Sequence, residues 1–135
     1  MITLDQYFGP WRHHADVTPE RLANAERLLV QVNAILAWAY GSGCDLPVNP
    51  ATHSLVSGQT YGGFRPQDCP QGAPHSSHKE ALAVDVYDPH NALDGLIDDQ
   101  MLTAYGLYRE HPDDTPHWCH LTIKAPGSGR RTFKP

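Results

Sequence analysis

Apolar residues recur at three- and four-residue steps from Leu22 through Ala25, Leu29, Val32 and Ile35, the period of a helix with one buried face. Ahead of them, Thr18-Pro19-Glu20 reads as an N-cap, a proline at the first helical position and an acidic first turn. A long helix is therefore predicted over 18–40. Gly41 and Gly43 offer the left-handed conformations that end it, and Pro47 and Pro50 keep the chain from resuming it. A second helical period, through Leu93, Leu96, Ile97, Met101, Ala104 and Tyr105, predicts an amphipathic helix over 92–107, weakened by Gly95 and Gly106. Other stretches alternate instead. In 83–87 (AVDVY), Val84 and Val86 share one face and Ala83, Asp85 and Tyr87 the other; in 118–124 (WCHLTIK), Cys119, Leu121 and Ile123 oppose Trp118, His120 and Thr122. Both read as strands covering a core on one side, with Asp85 and His120 on the polar faces. A shorter strand is expected at 53–57 (HSLVS). The aperiodic stretch that follows it, rich in glycine and proline, is the long loop of the fold, and loops of that length in small domains usually carry function or lack order.

Chain length of 135 residues fits one domain, 1–135. Eleven glycines and twelve prolines place much of it in turns. The formal charge of −5 argues against a nucleic-acid partner, since such surfaces need clustered Lys and Arg. No apolar run approaches the ~20 residues of a membrane span. The N-terminus shows no basic segment followed by an apolar stretch, so no signal peptide is expected and synthesis in the cytoplasm is. Cys44, Cys69 and Cys119 outline neither a disulfide framework nor a metal knuckle, although a Cys44–Cys69 bridge stays open. Cys119 falls on the core side of its strand, where it acts as a small hydrophobe and not a nucleophile. The outlying count is nine histidines, and imidazole is the commonest metal ligand.

Two of those histidines combine with the strand pattern. Asp85 and His120 sit on polar strand faces, and His78 precedes Asp85 by seven residues in SSHKEALAVD. A catalytic zinc takes three protein ligands at about 2.0–2.2 Å and leaves a fourth position for water, so two imidazoles and a carboxylate match it in kind and number. Seven extended residues would span roughly 23 Å, far beyond the reach of one ion, so the chain must reverse between His78 and Asp85.

The segments carrying Ser57, Gly58, Phe64 and Arg65, then Ser76, His78, Ala83 and Asp85, then Trp118 and His120, resemble the S-x-H-x-x-G-x-A-x-D and W-x-H signatures of the zinc D-alanyl-D-alanine peptidases. The likeness covers 54–124, and the GRRTF ending is similar to that of small phage-type members. That family shares the Hedgehog/DD-peptidase fold and includes phage endolysins that cut peptidoglycan cross-links or stem peptides. The resemblance implies zinc held by His78, Asp85 and His120, with Arg65 binding a substrate carboxylate or carbonyl through its paired N–H donors. Two positions depart from it: Ala81 stands where the motif has glycine, and His117 where the family has its general-base glutamate. An imidazole, with an ordinary pKa of about 6.5, suits proton abstraction near neutral pH; Asp113 and Asp114 are alternative bases if their loop folds over the metal.

The expected fold is α+β, a small antiparallel sheet with flanking helices, Hedgehog/DD-peptidase-like. The expected function is that of a zinc peptidase acting on peptidoglycan peptides at the cell wall, after release or phage delivery. The rival expectation is a catalytically inactive zinc-binding module, a phage structural or wall-binding part on the same scaffold.

Overall fold

The long helix is present as α2, Pro19–Gly41, in the computed structural model, which describes residues 1–73 and 75–135. Thr18 caps it by accepting a hydrogen bond from the Arg21 amide, and Leu28, Val32, Ile35 and Leu36 lie on its buried face. A short helix that no period announces precedes it: α1, Leu4–Phe8, is closed by a reciprocal Thr3–Gln6 capping box. Asn33 of α2 fastens this N-terminal segment by bonding both the amide and the carbonyl of Ile2 at 2.9 Å.

Four strands follow, β1 (Ala83–Tyr87), β2 (Tyr108–Glu110), β3 (Trp118–Thr122) and β4 (Thr132–Phe133), in the sheet order β1-β3-β2-β4. The architecture is α+β, but the sheet is mixed where an antiparallel one was expected. β3 pairs antiparallel with both β1 and β2, whereas β4 runs parallel to β2. The chain leaving β3 turns back through Pro126–Gly129 and passes to the far edge of β2, so β4 runs opposite to β3 and along β2; the Arg109 and His111 amides donate to the Arg131 and Phe133 carbonyls at 2.8 and 2.7 Å. Val84, Val86, Cys119 and Leu121 join the buried face of α2 in one apolar core, as alternation predicts.

The predicted 92–107 helix is two helices, α3 (Ala92–Leu96) and α4 (Asp99–Ala104). Ile97 and Asp98 are extended, and Asp98 restarts the chain as an N-cap that accepts from the Met101 amide. The apolar period survives the break because Leu93, Ile97 and Leu102 all reach the core. The strand expected at 53–57 is reduced to isolated bridges, Asn49 with Ser54 and Val56 with Val86. His53 is left-handed at φ 55°, and the Asn49 amide and Thr52 hydroxyl both donate to the Val56 carbonyl, at 3.0 and 2.7 Å. Those side chains take an acceptor that a continuous ladder would use.

The reversal required between His78 and Asp85 is a tight turn. The Ala81 amide donates to the His78 carbonyl at 3.2 Å and the Leu82 amide to the Ser77 carbonyl at 2.8 Å, with Ala81 fully buried at φ 58°. That left-handed conformation is the one glycine adopts freely, so the alanine here carries strain. Replacing it with glycine relieves about 1–2 kcal/mol but gives up about 0.5–1 kcal/mol of backbone entropy and roughly 0.8 kcal/mol of methyl burial. Ala81→Gly is therefore expected to leave stability within about 1 kcal/mol of the parent, whereas Ala81→Val, branched at Cβ in a filled left-handed site, is expected to cost at least the ~1–3 kcal/mol of overpacking. Denaturant midpoints measure both.

Candidate metal centre

Strand pairing brings the first two ligands together. Asp85 on β1 lies directly opposite His120 on β3, where side chains on one face stand about 4.5–5.5 Å apart at Cβ. The His120 ring then needs only its near nitrogen: Nδ1 is 2.8 Å from Asp85 Oδ1. His78 comes from the turn before β1 and reaches further, placing Nε2 at 3.3 Å from the same oxygen. Its other nitrogen is held, since Nδ1 lies 2.8 Å from the Gly63 carbonyl; a carbonyl only accepts, so Nδ1 carries the hydrogen and Nε2 presents a lone pair. All three ligand atoms fall within 4.8 Å of one another, and all three residues are buried.

This donor set fits a divalent ion. Metal–ligand bonds of about 2.0–2.1 Å in a tetrahedral arrangement put ligand atoms roughly 3.3 Å apart, close to the separations found. The His78 lone pair and the Asp85 oxygen are both acceptors, and two acceptors in contact need a cation or a proton between them. Protonation states agree. Burial lowers the pKa of His78 from its ordinary value, outweighing the pull of Asp85, and keeps the ring neutral. Burial alone would raise Asp85, but His78 and His120 beside it more than offset this and hold the carboxyl ionised, well below the usual range.

The second oxygen of Asp85 is also fixed. Arg65 Nη2 stands 3.3 Å from Oδ2, and its Nε donates to the Tyr61 carbonyl at 2.8 Å. A strap of chain, 55–65, makes this geometry. It runs along the outer edge of β1, with the Ser57 amide bonded to the Asp85 carbonyl at 2.8 Å and the Asp85 amide to the Gly62 carbonyl at 2.7 Å. Phe64 anchors it, fully buried against Phe8 at 5.4 Å between ring centroids. Gly63 can only be glycine, because a Cβ there would sit 1.9 Å from the Tyr7 carbonyl oxygen. Beside the strap lies a cavity of about 410 Å³ lined by Ser57, Tyr61, Arg65, Gln71, Asp85 and Trp118. Arg65 and Trp118, both expected near the site, thus share a wall with a metal-binding candidate.

The expected bases are placed less favourably. His117 is exposed, with Nδ1 3.4 Å from the Pro89 carbonyl, outside the ligand cluster. Asp114 pairs with Lys134 at 3.5 Å and Asp113 with His111 at the same distance, both exposed. A residue with no assigned role, Glu110, lies closer. Tyr108 and Arg109 of β2 pair with Thr122 and Leu121 of β3, so the next step of the register sets Glu110 beside His120. Burial raises its carboxyl above the ordinary range, with His120, Asp85, Asp114 and Arg65 all contributing to its field. Three residues of strand, Tyr108–Glu110, are too few for alternation to announce.

The Ser76 hydroxyl accepts from the His78 amide at 3.3 Å. Cys119 is fully buried, with its thiol pushed well up by burial and by Asp94, and the three cysteines are free, so the Cys44–Cys69 bridge is not formed. A second group, His14, Asp16 and Asp68, also gathers its ligand atoms within 4.8 Å near the surface. There His14 Nδ1 already accepts from the Asp16 amide at 3.0 Å and Asp16 Oδ2 from the Gln67 amide at 2.9 Å. Among the described residues, no helix is long and apolar enough to cross a membrane.

Calorimetric titration with zinc is expected to show one tight site per chain, and His78→Ala, Asp85→Ala and His120→Ala each to weaken it by about 100-fold or more, at or beyond the upper end of what loss of a supporting partner costs. Affinity should fall as pH falls, because protons compete for the same lone pairs. For His78 that competition begins only below the ordinary imidazole value of about 6.5; binding that strengthens on acidification would exclude this ligand set.

No family model matches the chain, and no match is found among curated proteins or solved structures.

Proposed function

We propose that the chain is a zinc-dependent peptidase acting on peptidoglycan peptides, built on a Hedgehog/DD-peptidase-like scaffold. The observation that carries this reading is the convergence of His78 Nε2, Asp85 Oδ1 and His120 Nδ1, with Asp85 shared between that cluster and the wall of a cavity that Arg65 also lines. Those are the residues that the S-x-H and W-x-H signatures single out. When bound, a zinc ion supplies Lewis acidity, lowering the pKa of water toward about 7 and polarising a carbonyl.

The chain's own groups divide the remaining work. His78 is fixed by the Gly63 carbonyl and Asp85 by Arg65, each through an atom other than its ligand atom, so these two ligands are organised before substrate arrives. Arg65 spends Nε on Tyr61 and one donor of Nη2 on Asp85, and among the described residues its Nη1 donors have no acceptor, which leaves them for a substrate carboxylate or carbonyl. The same contact makes Arg65 a positioning group for Asp85. The neutral polar walls supplied by Ser57 and Gln71 suit a peptide backbone, which needs both donors and acceptors. Zinc as the ion rests on this chemistry, since imidazole and carboxylate ligands also accept other divalent metals.

One observation favours the rival, a zinc-binding module without catalysis on the same scaffold: His117, standing where the resembling family has its glutamate, is turned to the Pro89 carbonyl and not to the ligands. The two readings separate in one experiment. Zinc-loaded protein incubated with purified muropeptides is expected to release smaller peptides or free amino acids detectable by mass spectrometry, and Asp85→Ala to abolish the release. Zinc bound with no new product from any muropeptide would leave the binding module. Arg65→Lys keeps the charge but loses the planar fork. It is expected to lower kcat/KM by about 10- to 100-fold, the worth of one hydrogen bond to a charged group.

A further inference from the structure

We propose that Glu110 is the general base of this site; the assignment rests on the peptidase reading above. Asp85, His120, Glu110 and Phe133 form one row across β1, β3, β2 and β4, fixed by the Asp85–His120 and Glu110–Phe133 pairings and by the β2–β3 register between them. Side chains alternate along β2. Arg109 points to the opposite face, where its Nη1 donates to the Asp94 carbonyl at 2.7 Å. Glu110 therefore projects on the face of His120, whose ring meets that of Phe133 edge-on at 6.1 Å.

The carboxylate is half-buried, and among the described residues it has no hydrogen-bond or ion-pair partner. Since no buried side-chain oxygen among the described residues lacks a partner, the Glu110 oxygens are reachable by solvent, and a carboxylate that no protein donor engages is what a base requires. Glu110 is also absent from the group whose ligand atoms converge, so it stands near the centre without being one of its ligands. The competing candidates are otherwise engaged: Asp114 faces Lys134, Asp113 faces His111, and His117 faces Pro89. Backbone bonds on both sides of Glu110, Arg109 to Arg131 and His111 to Phe133, hold it in place.

The step balances. A water proton passes to the Glu110 carboxylate as the water oxygen bonds to the scissile carbonyl carbon. The carbon–nitrogen bond then breaks, the Glu110 carboxylic acid returns its proton to the leaving nitrogen, and the carboxylate is restored. The products are a carboxylic acid and an amine, with one water consumed.

The test uses the full chain loaded with zinc, compared with Glu110→Gln, Glu110→Asp and His117→Ala, by muropeptide hydrolysis and by calorimetric zinc titration. The expected result is a kcat loss on the order of 10²-fold or more in Glu110→Gln, as for removal of a general base, with part of it regained in Glu110→Asp and zinc affinity retained. Parent activity that survives in Glu110→Gln while it collapses in His117→Ala overturns the assignment and leaves the peptidase reading standing. Zinc affinity that falls about 10-fold or more in Glu110→Gln overturns it too, because that is the signature of a group that orients a ligand. A zinc-loaded parent that hydrolyses no muropeptide removes both the assignment and the reading on which it rests.

Discussion

A buried, ionised carboxylate held between two imidazoles and a guanidinium is the constraint around which this chain is arranged. Taking one such charge out of water costs several kcal/mol even after the protein relaxes. Asp85 offsets this with Arg65 on one oxygen and with His120 on the other, the oxygen that His78 also approaches. Each partner arrives by a different route: His120 from the neighbouring strand, His78 from a strained turn, Arg65 from a strap laid along the sheet edge. None of the three is placed by local sequence alone. The strap can follow β1 only because Gly63 passes within contact of the Tyr7 carbonyl, so α1 at the N-terminus helps determine where the acid at position 85 points.

The two faces of the sheet treat buried polar groups in contrasting ways. On the helix side, Arg109 donates to the Asp94 carbonyl, Thr115 donates to the Asp94 carboxylate at 3.3 Å, and Asp88 accepts from the Leu93 and Asp94 amides at 3.0 and 2.9 Å. Every oxygen there has a donor, and the arrangement braces α3 against β2 and β3. On the other face, the His78 nitrogen and the Asp85 oxygen approach as acceptor to acceptor, and among the described residues no side chain or amide donates to the Glu110 carboxylate. A satisfied network stabilises a unique fold. A face whose acceptors meet one another, beside a cavity that Asp85 lines, is one where a cation or a substrate donor would complete the bonding.

Much of this was legible from residue order, and what was not has identifiable causes. The period of α2 and its Thr18-Pro19 start are strong local signals, and the parity of β1 and β3 was enough to put Asp85 and His120 on one face. Burial of that face is not legible in the sequence, because the strap along the edge of β1 has no period of its own. The 92–107 helix was predicted unbroken since its apolar spacing persists through Ile97; the Asp98 cap that divides it looks like any acidic surface residue until the φ and ψ angles are seen. β2 and β4, three and two residues long, carry too little alternation to be read, and the parallel pairing of β4 depends on a return loop whose path sequence does not specify.

Glu110 shows the limit most clearly. The sequence offers His117, Asp113 and Asp114 as bases, all within seven residues of His120. In a sheet, the nearest neighbours of a side chain are those across the strand, at about 4.5–5.5 Å between Cβ atoms, while the adjacent residue along the strand points away. The segment between β2 and β3 holds all three of those candidates, and it carries them out to the surface precursor turn Pro112–Asp114 and beyond, while the residue just before it returns to the row of ligands. Closeness along the chain is therefore a poor guide here, a direct consequence of antiparallel pairing: the loop carries Asp113, Asp114 and His117 to the surface, while the β2–β3 register sets Glu110, which precedes the loop, across from His120.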